Sequence, residues 1–399
     1  MKPSPLILGA TAFVALAWPA LAQADDAPQA PKSCRAQPGQ PAAPYQSVEQ
    51  LPDGRVTFRI CAPDANALRV VSVDNNDAIP FMVRGVPPGL AMTRDDTGLW
   101  SATTAVPVAP DSYRFNFSVD GARVPDPRAT RFSEERTGVN SVFETTGPEG
   151  AFQAWDKDVP HGAVTVVEYW SNSFGAKRRA HIYTPPGYMK GSQKYPVLYL
   201  VHGGGDSDDS WTSVGRAHNI LDNLIAAGRA KPMIIVMPFG HSPEPAPVNT
   251  LPNTAFGDDL TKDLIPYVER TFRVVADADH RGMAGLSMGG AHTLNFGLPR
   301  PDLFHYIGVF SMGLGMGNNT QQIADYEARN GAALKRGAKD FRLVYYAIGK
   351  DDFLQPTVRP TRAIFEQYGI KYVYNESPGG HTWINWRRYL NDFAPQLFR

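Results

Sequence analysis

Ala284-Gly285-Leu286-Ser287-Met288-Gly289-Gly290 stands between Arg281-Gly282-Met283-Ala284, a short apolar run of strand character, and Ala291 to Phe296, which reads as helix. Ser287 has one glycine two residues before it and another two residues after. That is the G-x-S-x-G spacing of a strand, sharp turn and helix, in which a strained turn lifts a serine hydroxyl to the top of a sheet. Any side chain at Gly285 or Gly289 would collide across so tight a turn, and the helix beyond Ser287 points its backbone N–H groups at the reacting atom. A glycine-rich strand-to-helix turn with an incidental serine has the same local spelling. What separates the two is whether a base, an acid and an oxyanion hole occur in the right order.

They do. Phe341 to Ile348 is a β-rich run ending in Gly349-Lys350-Asp351-Asp352, a carboxylate pair at the carboxyl end of a strand. A G-x-x-D reading selects Asp352 as the acid, with Asp351 its solvated neighbour. Lys371 to Tyr374 is a further strand, running into Ser377-Pro378-Gly379-Gly380-His381, which places His381 on a loop at the same end of the sheet. The order Ser, Asp, His is the one an α/β-hydrolase topology demands. A serine hydroxyl is a poor nucleophile until an imidazole takes its proton, and the carboxylate fixes that imidazole's tautomer. Upstream, the strand Val197 to Val201 ends in His202-Gly203-Gly204-Gly205. A tetrahedral intermediate needs two backbone donors, and the spacing assigns them to Met288 and to this glycine loop, at Gly204 or Gly205. His202 precedes the nucleophile in the chain and is read as a loop-fixing or pocket residue. His161, His181, His218, His241, His280, His292 and His305 are read as satisfied structural groups, and Asp258, Asp259 and Asp263 as a capping and solvated helix face.

The chain has 399 residues, which suggests two domains, and Lys+Arg balance Asp+Glu at 39 each, so net charge points to neither nucleic acid nor an anionic membrane as partner. Residues 1–22 read as a signal peptide: Lys2, an apolar run from Leu6 to Leu16, and Ala20-Leu21-Ala22 or Ala22-Gln23-Ala24 as cleavage site. The expectation is a secreted or periplasmic protein without membrane insertion. The two cysteines, Cys34 and Cys61, can pair in an oxidising compartment or stay as separate thiols; their spacing argues against a zinc site. No metal or cofactor is called for.

Residues 23–46, rich in Ala, Pro and Gln, are expected to be a flexible leader. Residues 47–146 alternate with period two, Val56, Phe58 and Ile60 against Thr57 and Arg59, and Tyr113, Phe115, Phe117 and Val119 against their polar neighbours, with Asp120-Gly121 as a hairpin turn. Half-buried antiparallel strands in a small immunoglobulin-like sandwich follow from that pattern. Residues 147–163 read as a linker, and residues 164–399 as alternating strands and helices with a mostly parallel sheet. Leu260, Leu264, Val268 and Phe272 recur along one helix, which Pro266 is expected to kink.

Phe58-Arg59-Ile60-Cys61-Ala62-Pro63-Asp64-Ala65, Met92-Thr93-Arg94-Asp95 with Gly98-Leu99-Trp100, and Asp111-Ser112-Tyr113-Arg114-Phe115 with Val119-Asp120-Gly121 resemble the glycogen-binding-type module of carbohydrate-binding family 48. Trp100 and Tyr113 are then either sugar-stacking or core residues. The blocks from His202 to Trp211, Gly215 to Ala226 and Lys231 to Pro238, the Gly285 to Gly290 elbow, and Gly379-Gly380-His381-Thr382-Trp383 resemble carbohydrate esterase family 1, in its feruloyl and acetyl xylan esterase branch. The resemblance implies a serine esterase acting on a polysaccharide-linked ester, feruloyl groups on arabinoxylan foremost. In it Ser287 is the nucleophile, His381 the base, Asp352 the acid, and Met288 with a residue of Gly203 to Gly205, Gly204 and Gly205 foremost, the oxyanion hole. Met237 to Thr254, His202 and Trp383 would shape the acyl pocket, with Trp383 stacking on an aromatic acid or packing at a helix start. Acetyl xylan esterase, siderophore (enterochelin-type) esterase and a non-catalytic carbohydrate-binding protein are the competing readings.

Overall fold

A computed structural model describes residues 33–36, 44–75, 77–81, 83–243 and 253–399. The expected signal peptide lies outside the described residues, as does most of the leader and residues 244–252 of the expected acyl pocket.

Ten short strands form the amino-terminal part: β1 (Val48–Gln50), β2 (Val56–Cys61), β3 (Leu68–Val71), β4 (Leu90–Ala91), β5 (Thr93–Arg94), β6 (Leu99–Thr103), β7 (Ser112–Val119), β8 (Ala122–Val124), β9 (Phe132–Glu134) and β10 (Val139–Glu144). They make two sheets, β1-β2-β6-β5 and β4-β3-β7-β10-β9 with β8 paired to β7. The alternation in β2 and β7 turns Phe58, Phe115 and Phe117 inward, and Phe58 meets Phe115 and Phe143 at ring distances of 5.2 Å across the space between the sheets. Trp100 and Tyr113 belong to this core: each is buried, and the Trp100 Nε1–H and Tyr113 hydroxyl donate to the carbonyls of Ala62 and Ala109. Neither presents a face to a sugar. Cys34 and Cys61 are joined in a disulfide. The leader is therefore anchored where it is described: Cys34 is buried, and Tyr45 lies under the Arg128 guanidinium and accepts the Cys61 N–H.

The expected linker is structured. Pro148–Gln153 forms a 3-10 turn whose carbonyls at Phe152, Gln153 and Ala154 accept from Asn223 and Asn219, so it is docked on the second domain.

The second domain is built on eight strands: β11 (Ala163–Ser171), β12 (Ala176–Thr184), β13 (Val197–Val201), β14 (Ile234–Pro238), β15 (Arg281–Leu286), β16 (Tyr306–Phe310), β17 (Leu343–Gly349) and β18 (Val373–Ser377). Their spatial order is β11-β12-β14-β13-β15-β16-β17-β18, with β12 antiparallel to both its neighbours, β11 and β14, and the pairs from β14 to β18 parallel. Its central strands are apolar throughout because both faces are covered. Val197, Tyr199 and Val201 of β13 enter one core, Leu198 and Leu200 the other.

Among the described residues eight α-helices accompany the sheet: α1 (Ser210–Ser213), α2 (Ala217–Ala226), α3 (Thr254–Asp258), α4 (Ile265–Thr271), α5 (Met288–His292), α6 (Thr320–Gly337), α7 (Val358–Gln367) and α8 (Trp383–Phe393). Helices α2 and α8 pack on one face, α4, α6 and α7 on the other. Between α3 and α4 the chain takes π-helical turns over Asp259–Leu264, ending where Pro266 opens α4. Proline has no N–H to give and its ring excludes the carbonyl four residues back, and the widened turns absorb that misfit.

Asp259 and Asp263 are not on a solvated face. Asp259 is fully buried and accepts the Tyr169 hydroxyl, and Asp263 accepts Ser171 Oγ and the Ser173 N–H. Only Asp258 faces solvent, paired with Lys262. Among the described residues no helix is long and apolar enough to cross a membrane.

Candidate active site

Strand β15 lies in the middle of the sheet and delivers Ser287 at its carboxyl end. Ser287 holds φ 50° and ψ −115°, outside the regions a side chain prefers. Two backbone bonds hold it there: its N–H donates to Phe310 O at 2.9 Å, and its carbonyl accepts the Ala291 N–H at 2.9 Å. A Cβ on Gly285 would stand 2.4 Å from the Gly289 carbonyl carbon, and one on Gly289 would stand 2.3 Å from Val201 O. The elbow therefore closes only with glycine at both places, and it presses directly on the end of β13, where the glycine loop begins.

The acid and base come from the next strands outward. Asp352 follows β17, is 3% exposed, and both its oxygens lie 3.0 Å from His381 Nδ1. Its Oδ1 also accepts the Leu354 N–H at 2.9 Å. Asp351 is exposed, and its own N–H donates to Gly379 O, lacing the acid loop to the base loop. The His381 ring contacts Trp386 edge-on at 5.0 Å and Phe353 at 4.5 Å. Trp386 Nε1–H in turn donates to Ser311 Oγ, beside the Phe310 carbonyl that takes the Ser287 N–H. Among the described residues no hydrogen bond joins Ser287 to His381; each is tied instead to the end of β16, Ser287 through Phe310 and His381 through Trp386 and Ser311.

His202 is buried, with Nδ1–H donating to Gly203 O at 2.8 Å and Nε2 accepting the Gly240 N–H at 2.9 Å. An acceptor role at Nε2 requires neutral imidazole, and burial lowers its pKa in the same sense. His202 therefore fixes a loop and does not line a pocket. His292 and His241 serve the same loop: His292 Nε2 donates to Gly240 O and His241 Nε2 to Asp206 O. Burial pushes them down to about 3 and about 4.

The Gly203 N–H is taken by Asp206 Oδ2 at 3.2 Å. Among the described residues the N–H groups of Gly204, Gly205 and Met288 have no protein partner. The Gly205 carbonyl accepts from Arg136 N–H at 3.2 Å.

Trp383 is a correction. It is 1% exposed and wedged between Trp211 and Trp386 at 5.1 and 5.2 Å. As the first residue of α8 it faces the core, so no face is free to stack on an acid. The exposed aromatic beside the base is Phe353, 69% exposed. It follows Asp352 directly, a position where periodicity carries no signal; an aromatic next to an acid at a strand end is the only sequence cue. Among the described residues no group of three or more His, Cys, Asp or Glu side chains is arranged to hold a metal ion.

A mostly parallel sheet that presents a strained serine at the mouth of its central strand, with an Asp–His pair two strands away, is the architecture of an α/β-hydrolase. The chain belongs to the esterase family: residues 171–397 match the family described as "Putative esterase". It is similar to an endo-1,4-beta-xylanase/feruloyl esterase of Xylanibacter ruminicola, with 32% identity over 368 residues, 90% of this chain and 47% of that protein. The chain thus spans about half the length of that relative. Among solved structures, a ferulic acid esterase superposes with TM-score 0.52 and 26% identity, over 59% of this chain and 97% of its own. The enterobactin esterase of Shigella flexneri superposes with TM-score 0.57 and 18% identity over 87% of this chain and 95% of its own, a likeness of fold that extends into the β-sandwich.

Proposed function

We propose that this protein is an exported serine esterase that removes feruloyl groups from plant cell wall polysaccharide such as arabinoxylan. The observation that carries the reading is the pairing of His381 Nδ1 with both oxygens of buried Asp352, after β17 and β18, at the same end of the sheet as the strained Ser287 turn. The likeness to a feruloyl esterase over 90% of the chain supports the acyl group.

In this reading Asp352 keeps the proton on His381 Nδ1, leaving Nε2 free to take the Ser287 proton as Oγ attacks the ester carbonyl. The carbonyl oxygen becomes an oxyanion and is met by the N–H groups of Met288 and Gly204. Collapse breaks the bond to the sugar oxygen, which leaves with the proton from His381. Water then gives a proton to His381 as it attacks the acyl carbon, and when this second intermediate collapses His381 returns the proton to Ser287 Oγ, which leaves as ferulic acid is freed. Phe353, against the His381 ring, supplies an aromatic face for the hydroxycinnamoyl group.

The test is hydrolysis of methyl ferulate and of acetylated xylan by the protein lacking residues 1–22, with Ser287→Ala as blank. Ferulate release that disappears in the variant is expected. Acetate release alone would reassign the acyl group, and hydrolysis that survives in Ser287→Ala would refute the mechanism.

A further inference from the structure

The loop bearing Gly203 to Gly205 is gripped from outside the α/β domain. Arg114, on β7 of the sandwich, is 6% exposed and donates from Nη1 to Asp206 Oδ1 at 2.7 Å. Its Nε and Nη2 donate to Asp74 Oδ2 and Oδ1 at 3.0 and 2.8 Å. The second oxygen of Asp206 is the one that accepts the Gly203 N–H. One carboxylate therefore stands between a guanidinium of the sandwich and the backbone of the glycine loop. By occupying the Gly203 N–H it leaves Gly204 as the next donor along the chain.

The chain after β9 runs beside the same loop. Glu135 pairs with Asp206 in an antiparallel bridge, and the Glu134 N–H donates to Asp209 Oδ2 at 3.0 Å. Arg114 also lies over the ring of Trp383 at 5.8 Å, at the start of the helix that follows His381. Three nitrogens of one planar fork are used in fixed directions, a geometry that lysine cannot reproduce.

We propose that Arg114 is a positioning residue for ester hydrolysis: through Asp206, the β-sandwich fixes the Gly203–Gly205 loop so that its free N–H meets the oxyanion. The inference rests on the assignment of Ser287 and the oxyanion hole given above. A backbone donor is aimed only as well as its neighbours are held. A misplacement of about 1 Å costs up to about 100-fold in rate, and outright loss of a donor costs about 100- to 1,000-fold.

The experiment uses Arg114→Gln and Asp206→Asn in the otherwise intact protein, assayed on methyl ferulate well below each variant's melting temperature. Active sites are counted by titration with an aryl phosphonate. An asparagine at 206 has one oxygen, so it can accept from Arg114 or from Gly203 but not from both. The expected result is a fall in kcat per titrated site of about 10- to 100-fold, with KM changed by less than about twofold. The double variant is expected to lose little more than either single one.

A purely structural arginine would lower the melting temperature and the number of titratable sites while leaving kcat per site within about twofold of the parent, which would overturn the proposal. Should Arg114→Gln fail to fold, Asp206→Asn decides alone, and unchanged kcat there refutes the link. Ser287→Ala, run alongside, distinguishes the two possible failures. Hydrolysis that persists without the serine refutes the assignment of the nucleophile; kcat that persists without the arginine refutes its positioning role.

Discussion

Asp351 and Asp352 are neighbours with opposite fates, and burial makes the difference. Asp352 sits in the protein with both oxygens on His381, whereas Asp351 points into water. Asp352→Asn keeps the shape but presents an amide to Nδ1 and favours the wrong tautomer; kcat on methyl ferulate is expected to fall about 1,000- to 10,000-fold. Asp351→Asn should stay within about twofold, and equal losses in the two variants would refute the assignment of the acid. At Phe353 the expectation concerns selectivity. Phe353→Ala should lower kcat/KM for methyl ferulate about 3- to 10-fold while sparing an acetyl ester, the range of one aromatic contact. The strained turn at Ser287 and the placement of Asp352 against His381 are legible because each is spelled in a few consecutive residues at a strand end. Trp383 is not, since whether a helix-start tryptophan faces a cavity or a core depends on Trp211 and Trp386, contributed from elsewhere. Asp259 and Asp263 misled for the same reason: their partners Tyr169 and Ser171 to Ser173 come from β11 and the turn after it.

Among elements, the elbow has the least room. Gly289→Ala places a carbon against the carbonyls of Val201 and His202, so strand β13 and helix α5 must separate. A loss of about 3 kcal/mol or more in unfolding free energy is expected, read by chemical denaturation, together with loss of activity. A variant of native stability would mean that the elbow is looser than drawn. Strands with clean alternation, β2 and β7, and the apolar strands β13 to β15 could be read from sequence to within a residue or two. Tyr306–Phe310, which carries the carbonyl that holds Ser287, has no period of its own, because a short run buried on both faces reads alike as strand or buried helix. The docking of the segment 147–163 is made by side chains of α2, Asn219 and Asn223, which no local pattern announces.

Over the whole molecule, buried imidazoles set the acid limit. Burial holds His218 and His241 down to about 4 and His292 to about 3, against an ordinary value of 6.5. Between those values the unfolded chain binds protons that the folded one refuses, so stability falls as pH drops from 6.5 towards 4. Asp209 works in the opposite direction: burial raises it to about 6 from 3.8, so the stability it contributes is lost as pH rises through that window. Four histidines, His202 with them, outweigh the two raised carboxylates, Asp209 and Asp259, and the denaturation midpoint should be lower at about pH 4.5 than at about pH 7; a flat profile would contradict the burial of these rings.

A fully buried tie between the sandwich and the α/β part joins residues far apart in the chain. Arg387 of α8 is fully buried, reaching Asp111 Oδ1 at 2.5 Å and the carbonyls of Ser112 and Val214 at 3.1 and 2.6 Å. A ribosome makes Asp111 long before it makes Arg387. The sandwich therefore leaves the exit tunnel with a carboxylate whose counter-charge has not yet been synthesised, and waits, open on that face, until nearly the last helix arrives to close it.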